Sequence, residues 1–190
     1  MKARIILLVV LLLITAVVVI LAPKQESAEE LIPPAVELPD GYNSANDFAF
    51  KGFDEIVNVD TGEAVKVSVP HSLGEYAGTS VVVTFWASWN TVSREQLDVI
   101  EGIYSDYDGV VFLPVNVGKA GKDSEKKARI AMADGEYTFP LYVDETGVVT
   151  FNITSTPKTF FFDGMGNLLA EVNGLCSAEV IADKTAELLK

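Results

Sequence analysis

The sequence predicts an α/β fold: a βαβ unit, an antiparallel β-hairpin and a C-terminal helix, with an extra hairpin ahead of them. Three observations carry that expectation. Ser80–Trp86 and residues 110–117 are nearly continuous apolar runs, as strands covered on both faces require, and an amphipathic stretch lies between them. Two more apolar runs flank the glycine-containing loop 163–167. The last dozen residues then show helical spacing.

Residues 5–22 are apolar apart from Thr15, follow Lys2 and Arg4, and would reach about 27 Å as a helix, near the thickness of a bilayer core. The stretch is long for a cleaved signal and lacks a small-x-small site, so residues 1–23 are expected to be an uncleaved transmembrane anchor, with a cleaved signal as the alternative. The paired cations keep the amino terminus in the cytoplasm, which places the rest of a single-pass protein on the extracytoplasmic side of the cell membrane. Residues 24–44, with Pro33, Pro34 and Pro39 and no sustained period, are expected to be an extended linker. The folded domain is therefore expected over 45–190.

Within it, residues 56–59 and 65–69 alternate around a turn containing Gly62, a hairpin that Pro70 is expected to close. Apolar positions from Val92 to Tyr107 recur at helical spacing and stop before Gly109, completing strand, helix, parallel strand. A charged, weaker helix is expected over 123–133 and a short strand over 139–143. Strands over 159–162 and 168–172 form the second hairpin, and residues 178–189 form the last helix.

Composition excludes whole classes of function. With 49% hydrophobic residues a real core is available, whereas 27 acidic against 14 basic residues give a net charge of −13, which repels a phosphate backbone and argues against nucleic acid as a partner. A single cysteine, Cys176, and a single histidine, His71, cannot form an intramolecular disulfide or a zinc cluster. No metal and no cofactor are expected.

The local wording is more specific than the pattern. The strand ending in Phe85-Trp86, then Ala87-Ser88-Trp89, and later Asn116-Val117-Gly118, Phe139-Pro140 and Thr156-Pro157, resemble the landmarks of the thioredoxin-like fold. They are most similar to those of the membrane-tethered, extracytoplasmic thiol-disulfide oxidoreductases of the cytochrome-maturation type. The resemblance covers roughly residues 45–190 and implies that Trp89 leads into an active-site loop. Where that family carries Cys-x-x-Cys, this chain has Asn90-Thr91-Val92-Ser93. Gln96 stands where the family commonly has glutamate, and Asp98 where it commonly has proline.

An amide and an alcohol cannot take up two electrons by pairing, so dithiol exchange has no route through this loop and no catalytic residue is expected there. Asn90 is a good helix N-cap, and Ser93 with Gln96 has capping-box spacing; a remodelled ligand-contacting surface is the other reading. The resemblance also implies a cis-proline turn at Thr156-Pro157, which reads as inherited architecture that shapes a turn, with docking of an extended chain by main-chain hydrogen bonds beside Trp89 as the other reading. Cys176 precedes Ser177, a natural N-cap, and reads as a buried staple to Ile181, with a reactive thiol as the alternative. His71 reads as a loop residue, and Asp144, Glu145, Asp106 and Asp108 as solvated acidic surface. The expected function is a membrane-anchored binding module for an extracytoplasmic protein partner. The alternatives are an oxidoreductase or peroxidase-like enzyme working through Cys176 alone, and a structural subunit of a membrane complex.

Overall fold

The computed structural model describes residues 36–57 and 64–189. The expected anchor, most of the expected linker and the turn of the first hairpin lie outside the described residues. Among the described residues no helix is long and apolar enough to cross a membrane. One seven-stranded sheet organises the domain: β1 (Ala49–Val57), β2 (Ala64–Ser72), β3 (Ser80–Trp86), β4 (Val110–Asn116), β5 (Tyr142–Asp144), β6 (Lys158–Phe162) and β7 (Leu168–Asn173), in the order β2-β1-β5-β4-β3-β6-β7. The helices are α1 (Thr91–Glu101), α2 (Glu125–Asp134), the single turn α3 (Gly147–Thr150) and α4 (Ala178–Leu188).

Every residue of β3 is buried, and it lies between parallel β4 and antiparallel β6. Alternation then divides the core. Val81, Val83 and Phe85 face one layer with Phe48, Phe50, Phe160 and Phe162, whereas Val82 and Trp86 face the other with Leu97, Ile100, Phe161 and Ile181. Full burial of such side chains contributes about 1.5–3 kcal/mol each, so this central strand is a major contributor to the stability of the sheet. Where the alternation meets a polar pair, Thr84 and Thr159 sit in register and share a 3.0 Å hydroxyl hydrogen bond, so neither is buried unpaired.

Several expected boundaries move, each for a local reason. The first hairpin is longer than expected and runs through Pro70 to Ser72, because β2 is the sheet's edge strand and can give up a backbone donor. His71 is consequently part of β2 and not of a loop: its ring stacks on Phe50 at 5.6 Å, and its Nδ1 lies 2.8 Å from Glu75. A side chain at Gly52 would collide with that imidazole, since its Cβ would sit 2.7 Å from Nε2. The helix expected over 92–107 ends at Glu101, where Gly102 accepts the cap role, and continues only as a 3-10 turn, Tyr104–Asp106.

The strand expected over 139–143 is displaced to Tyr142–Asp144, with Phe139 buried in the loop before it. Asp144 is not solvated surface. It is buried, accepts from Gly147 N at 2.6 Å and Val148 N at 3.1 Å, and opens α3, an element the sequence did not announce. Burial pushes its pKa up to about 6, against the lowering effect of those two N–H groups. The packed chain also begins earlier than residue 45: Asn43 N donates to Met165 O, and a Cβ at Gly166 would meet the Tyr42 ring at 2.7 Å.

Candidate functional site

β3 ends at Trp86, and the next four residues form a tight turn into α1, which is where the resemblance implies an active-site loop. Asn90 has extended backbone angles and caps α1, its Oδ1 accepting from Val92 N at 2.9 Å and Ser93 N at 3.4 Å. Its Nδ2 donates to Thr156 O at 2.6 Å, so one amide side chain ties the helix start to the Thr156-Pro157 segment, whose peptide bond is cis.

Ser93 is fully buried inside the first turn and accepts from Ala87 N at 3.2 Å. The expected Ser93/Gln96 capping box is therefore absent. The cap is three residues upstream, and Gln96 is turned inward instead: Cys176 N donates to its Oε1 at 2.6 Å, and its Nε2 donates to Cys176 O at 3.1 Å. A buried amide that satisfies both halves of one residue's backbone joins α1 to the start of α4.

A second buried group, missed from the sequence, fixes the other side of the loop. Asp123 accepts from Ser88 N at 2.6 Å, Ser88 Oγ at 2.7 Å, Asn116 Nδ2 at 2.9 Å and Ser124 N at 2.8 Å. Burial alone would raise its pKa, but the donors on Asn116, Ser88 and Ser124 outweigh that and hold it below the usual carboxylate range. An Asp-Ser pair ahead of a helix announces a cap in any sequence; only the fold reveals that Asp123 reaches back to Ser88.

With Ser88 and Asn90 anchored, the residue between them is presented outward. Trp89 is 58% exposed, whereas Trp86 is completely buried. The structure brings Asn90 and Thr156 together, while Pro157 is buried and Thr91 and Val92 are exposed on the first turn of α1. Trp89 instead lines a cavity of about 260 Å³ with Arg94, Lys127 and Ile130.

Cys176 lies apart from this face. It is 1% exposed, in the same cluster as Ile181 and just before the Ser177 cap that accepts from Val180 N, and burial pushes its thiol up to about 11. At neutral pH almost none of it is thiolate. Among the described residues no group of three or more His, Cys, Asp or Glu side chains is placed to hold a metal ion.

A parallel pair joined by α1, the antiparallel β6-β7 hairpin, the terminal helix and a cis-proline beside the helix start coincide with what the resemblance implies. Comparison with known proteins agrees. Thioredoxin-like protein YneN of Bacillus subtilis is 32% identical over 97 residues, covering 50% of this chain and 56% of that protein. Thiol-disulfide oxidoreductase ResA of Geobacillus kaustophilus is 30% identical over 116 residues, covering 58% and 64%. The crystal structure of StoA from Bacillus subtilis superposes with a TM-score of 0.52 at 19% identity, covering 70% of this chain and 96% of that one.

The chain has the thioredoxin-like fold. The similarity spans less than two thirds of either sequence relative's length. No family model matches the chain. This thioredoxin-like domain keeps the scaffold around the loop, with an amide and a buried hydroxyl where the resemblance implies a sulfur pair.

Proposed function

We propose that this thioredoxin-like domain has left dithiol chemistry and works as a binding module for an extracytoplasmic polypeptide, held at the membrane by residues 1–23. The observation that carries the reading is the use made of Asn90 and Ser93. Both side chains are committed to backbone partners in the loop and at Thr156, so the site is stabilised as a surface and has no group that can store electrons. The partner face is centred on exposed Trp89, next in the chain to Asn90, which bonds Thr156. A carbonyl has two lone pairs, so Thr156 O can accept from Asn90 and still receive a partner's N–H.

The test is reduction of a protein disulfide with dithiothreitol as the electron source. Wild type and Cys176→Ser should both match the uncatalysed rate, and iodoacetamide should label Cys176 only after unfolding. The double variant Asn90→Cys/Ser93→Cys should gain turnover: its thiol pair is oxidised to a disulfide as the substrate disulfide is reduced to two thiols, and dithiothreitol restores it. Turnover by wild type that disappears in Cys176→Ser would sink the binding reading. In parallel, a photo-crosslinker at Val92 in native membranes should trap a polypeptide, and Trp89→Ala should reduce the yield.

A further inference from the structure

Charge is not spread evenly over this acidic chain. Of its 14 basic residues, Lys119, Lys122, Lys126, Lys127 and Arg129 fall within eleven consecutive positions, accompanied by only Asp123 and Glu125 among acids. Asp123 is buried and consumed by its four donors and Glu125 pairs with Arg129 at 2.9 Å, so the four lysines give this stretch a positive surplus on a molecule whose net charge is −13.

These residues build a shape as well as a charge. Ile130, 51% exposed on α2, is shared by two concavities. One is the cavity toward Trp89, walled by Arg94, Lys127 and the carboxylate of Asp134. The other, about 730 Å³ between α2 and β1, carries Lys119, Lys126 and Arg129, with the Arg129 guanidinium 4.2 Å above the Phe53 ring. Ile130 is thus an apolar crest common to both hollows, and cations outnumber carboxylates in each, most strongly in the hollow toward the first hairpin, where Glu125 is the acid.

We propose that this ridge is the docking surface for an acidic polypeptide segment that carries apolar residues, the apolar side chains meeting Trp89 and Ile130 and the carboxylates meeting Lys119, Lys126, Lys127 and Arg94. The inference rests on the binding-module reading and names the chemistry of its partner. Complementary charge gives a positive patch on an otherwise repulsive molecule its selectivity and on-rate for acidic chains. A flat bilayer would touch the Ile130 crest and miss the walls of both hollows, which favours a chain over a membrane surface. Nucleic acid has the complementary sign but meets repulsion from the rest of the molecule.

The full chain is titrated with a fluorescently labelled peptide of alternating glutamate and leucine, followed by anisotropy, alongside a lysine-leucine counterpart and phosphatidylglycerol vesicles. The acidic peptide should bind, weaken as salt is added, and lose about tenfold or more in affinity in Lys126→Glu/Lys127→Glu, whose exposed sites leave the melting temperature in place. The lysine peptide should not bind. Absence of acidic-peptide binding, equal binding of both peptides, insensitivity to the charge reversal, binding of vesicles without peptide, or self-association that the reversal abolishes would each overturn the proposal. Trp89→Ala separates the two readings. If it removes peptide binding while the charge reversal does not, the acidic-partner inference falls and the Trp89 face stands. If the reversal removes binding and Trp89→Ala does not, the acidic-partner chemistry stands on Ile130 and the cations, whereas the Trp89 contact and the Trp89-centred face both fall.

Discussion

Gln96→Glu is expected to destabilise the domain by about 3 kcal/mol at neutral pH, lowering the melting temperature by on the order of 10 °C. The amide is completely buried and donates to Cys176 O while accepting from Cys176 N. An ionised carboxylate keeps the second bond and turns a repelling oxygen toward the carbonyl. Only the protonated acid can replace the lost donor. The folded-state pKa of the new side chain is therefore raised above its unfolded value near 4.3, so the folded state holds the proton more tightly. The variant should approach wild type below about pH 4 and fall progressively behind as pH rises through the folded-state pKa. Thermal melts of both proteins across that range decide the matter. A deficit that does not change with pH would mean that Gln96 does not meet the Cys176 backbone as described.

Asp123→Asn is expected to cost about 2–4 kcal/mol, although the change removes no volume. Four donors converge on the carboxylate, and an amide offers one oxygen while aiming its own N–H groups at the rest. The acid branch of the stability curve should change as well. A carboxylate with a lowered folded-state pKa contributes stability that is fully present above the unfolded value, about 3.9, and is lost as pH falls through the folded value. Wild type should show that loss and the variant should not. Because Ser88 is released by the same substitution, acrylamide quenching of tryptophan should also change, with Trp89 as the exposed reporter. Unchanged melts and quenching would show that Asp123 is not the anchor of the loop.

What the sequence made legible and what it hid differ in range. The run Ser80–Trp86, the second hairpin and the Ser177 cap announced themselves because neighbouring residues decide them: apolar continuity, positive-φ loop residues, a side-chain oxygen within one turn. Asn90 as a cap was readable for the same reason, but its second bond to Thr156 spans 66 positions and leaves no local trace. Gln96 was misread because capping-box spacing is satisfied by any serine and glutamine three apart. The helix start had already been fixed upstream by Asn90, which left Gln96 free to face the core. Asp144 looked like surface since its charge spoke louder than its neighbours; only the strand pairing with Phe50 shows that it is covered. Pro70 failed as a strand terminator because a terminator acts only where the backbone donor is needed, and nothing in the local sequence reveals that β2 is the sheet's last strand on that side.

The double use of the Asn90 side chain has one more consequence. A sulfur pair at a helix start lengthens, shortens or breaks its link according to how oxidising the surroundings are, and the contour around it shifts accordingly. An amide clamp between α1 and Thr156 has no such dependence. The contour of this rim should thus be the same in aerated and anaerobic surroundings.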